Sequence, residues 1–191
     1  LDGSSTVYDR FGEIAAFCPP YQEELQVWNW QDVSAVSAVK MKEHDTIENI
    51  FQALTYGIRK FLHNIHMKKV VIGVSGGIDS AVAAALYTHI LGPGNVLLIN
   101  MPSVYNSATT KDLASRLAQN LGCQYGIFPI QEVVDYTIRQ FESTPISYPG
   151  RKVNTNLQIS SFTAENIQAR DRSARVLAGA AGSFGGGFTC I

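Results

Sequence analysis

A chain of 191 residues, 46% apolar and 10% aromatic, has the length for one domain, or one domain with part of another, and the composition to bury a core. Fifteen Lys and Arg against sixteen Asp and Glu leave a net charge of -1, so the total charge points to neither nucleic acid nor a membrane surface as partner. Every apolar run stops short of the roughly 18 residues that a bilayer span requires. The opening Leu1-Asp2-Gly3-Ser4-Ser5 is polar, unlike a signal peptide. Cys18, Cys123 and Cys190 are odd in number and lack CxxC spacing, which argues against a disulfide framework or a zinc knuckle and for a reducing cytoplasm. His63 and His66 lie three apart, but no second pair of ligands answers them.

The first thirty residues read as strands. STVYDRFGEIAAF forms two short runs around Asp9-Arg10-Phe11-Gly12, where Asp opens and Gly closes a tight turn, and a β-hairpin is predicted. ELQVWNW reads as a further strand. A lone hairpin is marginal in water, so this segment is expected to be the tail of a larger domain. Residues 31–44 have the small and polar composition of a linker. Asp45 and Glu48 then form a capping box, and apolar residues recur at Ile47, Ile50, Phe51, Leu54, Ile58, Phe61, Leu62 and Ile65, predicting an amphipathic helix.

Strands and helices alternate from there: strand 69–74, helix 80–91, strand 96–100, helix 109–120, strand 124–128, helix 131–141. The strands are continuous apolar runs, as expected when both faces are covered, and the helices between them act as crossovers. The expected fold is α/β, a doubly wound, Rossmann-like parallel sheet preceded by the hairpin. Residues 143–161 read as a mobile loop, 163–183 as a last helix, and GGGFTCI as the start of another core strand. Ending on a core strand implies truncation, and the hairpin implies it at the other end.

Between the strand at 69–74 and its helix lies VSGGIDS. A helix N-terminus beyond the carboxyl end of a parallel strand offers free N–H groups and a partial positive charge. Gly73, Val74, Ser75, Gly76, Gly77, Ile78, Asp79 and Ser80 are therefore candidate binders of a phosphate chain, the glycines allowing close backbone approach and the Ser75 and Ser80 hydroxyls donating. A plain turn capped by Asp79 and Ser80 would leave the second glycine and second serine unexplained. The loop is neither GxxxxGK[ST] nor GxGxxG. A carboxylate inside an anion site is unfavourable without a cation, so Asp79 is the expected ligand of Mg²⁺. Ile99, Asn100, Met101 and Pro102 follow the next strand, where an adenine could stack, with Met101 the chosen candidate. Tyr105, Ser107 and Asp112 are weaker candidates, and Asp112 also reads as a first-turn helix acid.

SGGIDS resembles the SGGxDS signature of the PP-loop ATP pyrophosphatases, whose fold is that of the adenine nucleotide alpha-hydrolases. INMPSVYNSATTKDLASRLAQNLG and ENIQARDRSARVLAGAAGSFGGGFTC are similar to segments of the glutamine-dependent NAD synthetases, and LDGSSTVYDRFGEIAA resembles the closing hairpin of their nitrilase-like glutaminase domain. The resemblance implies residues 1–30 as the end of a glutaminase domain, 31–44 as a linker and 45–191 as the first part of an ATP pyrophosphatase domain. It implies ATP-dependent amidation of deamido-NAD to NAD through an adenylated intermediate, with ammonia drawn from glutamine, AMP and pyrophosphate released, and homo-oligomers formed. Asn166 and Arg170, four apart on one helix face near Glu165 and Arg172, are carried over as binders of deamido-NAD. The family's Asn-Lys-x-Glu stretch and later phosphate-contacting lysines fall beyond Ile191, so this chain alone is expected to be inactive. Two alternatives stay open: another PP-loop adenylating enzyme with a different acceptor, and a non-catalytic nucleotide-binding module. Among the former, a tRNA-thiolating enzyme would want paired cysteines and a basic surface, and both are lacking.

Overall fold

The computed structural model describes residues 3–29, 31, 46–103, 108–147, 149–150 and 154–189. The chain divides into two units, Leu1–Ile65 and His66–Ile191. In the first, β1 (Thr6–Tyr8) and β2 (Ile14–Phe17) pair antiparallel, with Thr6 opposite Phe17 and a bulge between Val7 and Tyr8. The turn closes as the residues demand. The Asp9 carboxylate accepts from the N–H groups of Phe11 at 2.8 Å and Glu13 at 2.9 Å, and Gly12 takes a left-handed φ of 84°. Ala15 and Ala16 are buried on the hairpin.

The third strand expected in ELQVWNW does not form over the described residues 24–29. Leu25 and Val27 are each 90% exposed, so their β-propensity has no sheet surface to act on. Helix α1 runs Thr46–Asn64, as the apolar spacing predicts. Of its apolar positions Leu62 is buried, whereas Ile47, Ile50, Phe51, Leu54 and Phe61 are exposed. Asp45 and, Gln31 apart, the expected linker lie outside the described residues. Glu23 and Lys60 form an ion pair between the hairpin's trailing segment and α1.

The second unit is built on a four-stranded sheet of β3 (Val70–Gly73), β4 (Val96–Asn100), β5 (Gln124–Ile127) and β8 (Gly187–Thr189), in the order β5-β4-β3-β8. Every pairing in it is parallel. Helices α2 (Ile78–Leu91) and α3 (Ala108–Leu121) supply the crossovers from β3 to β4 and from β4 to β5. After α4 (Gln131–Ser143) the chain returns through a long helix to lay β8 on the far side of β3. Strand order therefore reverses beside β3, and the crevice beyond its carboxyl end is where open α/β sheets bind ligands.

Both faces of the sheet are covered, which explains the unbroken apolar strands. Val71 and Ile99 pack with Ile130, Val176, Leu177 and Ala181 on one face. Val70, Ile72, Val96 and Leu98 point the other way, where α2 and α3 contact the strands, and all four are buried. Over its described residues the loop expected to be mobile at 143–161 carries regular structure. There β6 (Ile146–Ser147) and β7 (Asn154–Thr155) pair antiparallel, and the Glu142 carboxylate accepts from the N–H of Ile159.

The return helix starts at Ser161, where the Ser160 hydroxyl caps the Thr163 N–H. The sequence predicts one uniform helix here, and the structure departs from that. α5 (Ser161–Arg170) widens into a π-helical stretch, Asp171–Leu177, before α6 (Ala178–Phe184). Two glycines then admit β8. A Cβ on Gly186 would sit 2.2 Å from the Lys69 carbonyl oxygen, and one on Gly187 would sit 2.3 Å from the Met67 sulfur. Gly186→Ala should therefore cost about 2 kcal/mol or more, since backbone cannot yield cheaply. By contrast Gly179→Ala, in open space on α6, should stabilise by roughly 0.5–1 kcal/mol through helix propensity. Calorimetric melting of the two variants checks both signs.

Candidate functional site

Helix α2 begins two residues earlier than its sequence predicts, and the difference reshapes the loop. Gly77, not Ser80, occupies the N-cap position, and no side chain caps the helix. Asp79 and Ser80 thus lie inside the first turn and do not cap it, in keeping with the sequence reading that set a plain capped turn aside. An α-helix leaves its first N–H groups without partners, so those of Ile78, Asp79 and Ser80 remain available beyond β3. With the helix dipole they give this end of the loop a partial positive charge.

The two serines shape this loop from within. Ser80, 5% exposed, donates its hydroxyl to the Gly77 carbonyl at 3.0 Å and accepts from the Ser75 N–H at 3.3 Å. The Ser75 hydroxyl lies 3.3 Å from that of Ser80 and accepts from the Gly77 N–H at 3.2 Å. Ser80 is therefore spent on loop geometry rather than offered to a ligand. Each glycine has its own reason. Gly76 takes φ of 87°, which side chains rarely adopt, and a Cβ on Gly77 would crowd the Ser75 hydroxyl at 3.2 Å. A Cβ on Gly73 would meet the Met101 methyl at 3.0 Å.

The loop forms one wall of a cleft of about 750 Å³, within the range of small-molecule sites. Val74, Ser75, Gly77, Asp79 and Ser80 line that wall, and Gly73, Asn100 and Met101 line the strand ends. The opposite wall is the return helix, through Ala169, Arg172, Ser173 and Leu177. Asn100 ties the two strand exits together, donating its Nδ2 to the Val74 carbonyl at 2.9 Å. Its Oδ1 is buried and has no hydrogen-bond partner among the described residues, an acceptor under the cleft that a donor would satisfy.

Most loop candidates from the sequence, with Met101, come together here. Gly76 shapes the loop without lining the cleft, and Ile78 is exposed. Ile99 is buried in the core, and Pro102 is buried with its carbonyl accepting from the Ile130 N–H. Asn166 and Arg170 do not line the cleft. They bind each other, Arg170 Nη1 donating to Asn166 Oδ1 at 3.0 Å. Glu165 is exposed, and Asp112 is an exposed helix acid 3.8 Å from Arg116. Tyr105, Ser107 and Cys190 lie outside the described residues. Cys18 and Cys123 are free thiols, with Cys123 beside the Thr88 hydroxyl at 3.1 Å. Among the described residues no group of three His, Cys, Asp or Glu gathers as a metal cluster, and no helix is long and apolar enough to cross a membrane.

Sequence reasoning gave Arg172 no role and passed over Ala169, Ser173 and Leu177. Their three- and four-residue spacing was the available signal, but the choice between helix faces needed the tertiary structure.

Comparison with known proteins agrees with this architecture. The NAD synthase family model matches residues 50–184. A glutamine-dependent NAD(+) synthetase of Acinetobacter baylyi is 30% identical over 97% of this chain and 32% of its own length. An NH(3)-dependent NAD(+) synthetase of Chlorobaculum tepidum is 35% identical over 60% of this chain and 40% of its own. The structure of the glutamine-dependent NAD+ synthetase of Acinetobacter baumannii, a complex with ADP, superposes with a TM-score of 0.78 at 28% identity, covering 97% of this chain and 34% of that one. The chain thus spans about a third of the length of such relatives.

The loop geometry carries a direct expectation. Gly76→Ala forces a side chain into the left-handed region, at a cost of about 1–2 kcal/mol, and should weaken binding of inorganic pyrophosphate by about tenfold or more. Titration calorimetry on the variant and the native protein measures this.

Proposed function

The chain belongs to the NAD synthase family, and from that premise we propose that it holds the ATP side of an enzyme that amidates deamido-NAD to NAD through an adenylated intermediate. The observation that carries the reading is the uncapped start of α2 facing a cleft at the strand-order reversal, with Asp79 on its wall. In the proposed reaction a nicotinate carboxylate oxygen bonds to the α-phosphorus of ATP, and the bond to the bridging oxygen of pyrophosphate breaks. Ammonia then adds to the acyl carbon, and AMP departs with the electron pair. Charge grows on the leaving pyrophosphate, where the Ile78, Asp79 and Ser80 N–H groups are already oriented and need no rearrangement.

A carboxylate in such a site fits a magnesium ion. Among the described residues Asp79 is the one carboxylate lining the cleft, and Mg²⁺ is characteristically held by one or two carboxylates with phosphate oxygens and water filling its other positions. Asp79 would hold it, and the bound ion would supply neutralisation of phosphate charge. Asn166 and Arg170 are proposed to meet the dinucleotide acceptor, from the face of α5 that they share. The ammonia is proposed to come from glutamine, through a glutaminase domain of which residues 1–30 form the tail, with 31–44 as the linker and 45–191 in the synthetase domain. A homo-oligomer in a reducing cytoplasm completes the reading, in keeping with the free thiols of Cys18 and Cys123.

The test uses the protein expressed from its native gene, with deamido-NAD, ATP, Mg²⁺ and either ammonium or glutamine, and mass spectrometric detection of products. NAD and AMP should appear in equal amounts, and Asp79→Ala should lower both by about a hundredfold or more. ADP binding without NAD or AMP formation would overturn the proposed acceptor and favour a nucleotide-binding module.

A further inference from the structure

Arg170 and Arg172 are two positions apart, and in a helix of about 100° per residue they project to opposite sides. Arg170 keeps to the side of Asn166, its hydrogen-bond partner at 3.0 Å. Arg172 falls instead on the side of Ala169 and Ser173, and lines the cleft. Its sequence neighbour Asp171 is already engaged, forming a two-bond pair with Arg175 at 2.6 Å and 2.7 Å. Among the described residues the Arg172 side chain has no ion pair and no hydrogen bond, although Asp79 lines the same cleft. It also stands in the π-helical turn Asp171–Leu177, a widening that recurs at functional sites.

A guanidinium left unpaired across from an array of free N–H groups has an evident complement. We propose that Arg172 binds the polyphosphate chain of the nucleotide, closing from the helix side the anion site that the loop opens from the strand side. Its planar fork of donors suits phosphoryl oxygens. Asp79 and Arg172 line the same cleft without an ion pair between them, and a phosphate chain with its magnesium would engage each with a partner of opposite charge. This inference rests on the proposed ATP site but not on the identity of the acceptor.

Calorimetric titration of the native protein and its variants with magnesium pyrophosphate, and separately with ADP, tests it. Arg172→Met should weaken pyrophosphate binding by about tenfold or more, as loss of a charge-assisted contact does. Arg172→Lys should recover part of the affinity, because an ammonium restores the charge but not the fork. Arg139→Met, the same charge change on an exposed position of α4, should stay within about twofold of the native value, the scale of a screened surface charge. An Arg172→Met protein that melts like the native one and binds pyrophosphate equally well overturns the inference, as does an equal loss in Arg139→Met or a native protein that binds no pyrophosphate. Should Arg172→Met fail to fold, Arg172→Lys decides by the same measurement, an unchanged affinity counting against the fork. Native binding that depends on Arg172, in a protein that makes no NAD, would leave this inference standing and remove the proposed acceptor.

Discussion

The uncapped start of α2 is the constraint around which the second unit is arranged. A helix that begins without a side-chain cap leaves strongly polar N–H groups without partners, a cost usually removed by Ser, Thr, Asp or Asn at the N-cap. Here Gly77 stands at that position, and the serines on either side bind loop atoms instead. Such a loop holds only if its surroundings determine it. β3 supplies that support, hydrogen-bonded between β4 and β8 with Val70, Val71 and Ile72 buried.

The strand ends are secured in the same way. Val74 continues the pairing beyond β3, its N–H donating to Ile99 at 2.8 Å, while its carbonyl accepts from Asn100. The exit of β3 is thereby tied to the exit of β4 in both directions, and the direction in which the chain enters the loop is set. A buried acceptor without a partner costs about 1–3 kcal/mol, and Asn100 Oδ1 is such an acceptor. Gly73 lets Met101 lie over the strand, with Leu177 close behind. Strand, loop and return helix thus meet at a few residues, so a change at Gly73 would reach every wall of the cleft.

Legibility in the sequence followed the range of the forces involved. The Asp9 to Gly12 turn was readable because its hydrogen bonds close within a few residues. β4 appeared at its predicted bounds, Val96–Asn100, because an unbroken apolar run flanked by turn residues leaves little choice. ELQVWNW shows the opposite case. Its alternation suits a strand, yet strand formation depends on a neighbour that the local sequence cannot supply. The early start of α2 was missed for a related reason: Ile78 and Asp79 look like loop residues until the buried Ser80 draws the first turn back onto Gly77. Likewise the local helical pattern from Ser161 to Phe184 hides its π-helical turn.

The sequence by itself determined the order of strands and helices, the two buried faces of the sheet, the placing of a glycine loop where a strand meets a helix, and the resemblance that named the family. These follow from residue spacing, because alternation, helical period and backbone freedom are local properties. Only the tertiary structure decided that β8 lies against β3 rather than at the other edge, that Ser80 shapes the loop rather than offering its hydroxyl, and that the return helix turns Arg172 rather than Arg170 toward the cleft. Each of those outcomes depends on which distant surfaces pack together, and that is settled by burial across the whole unit rather than by any one stretch of the chain.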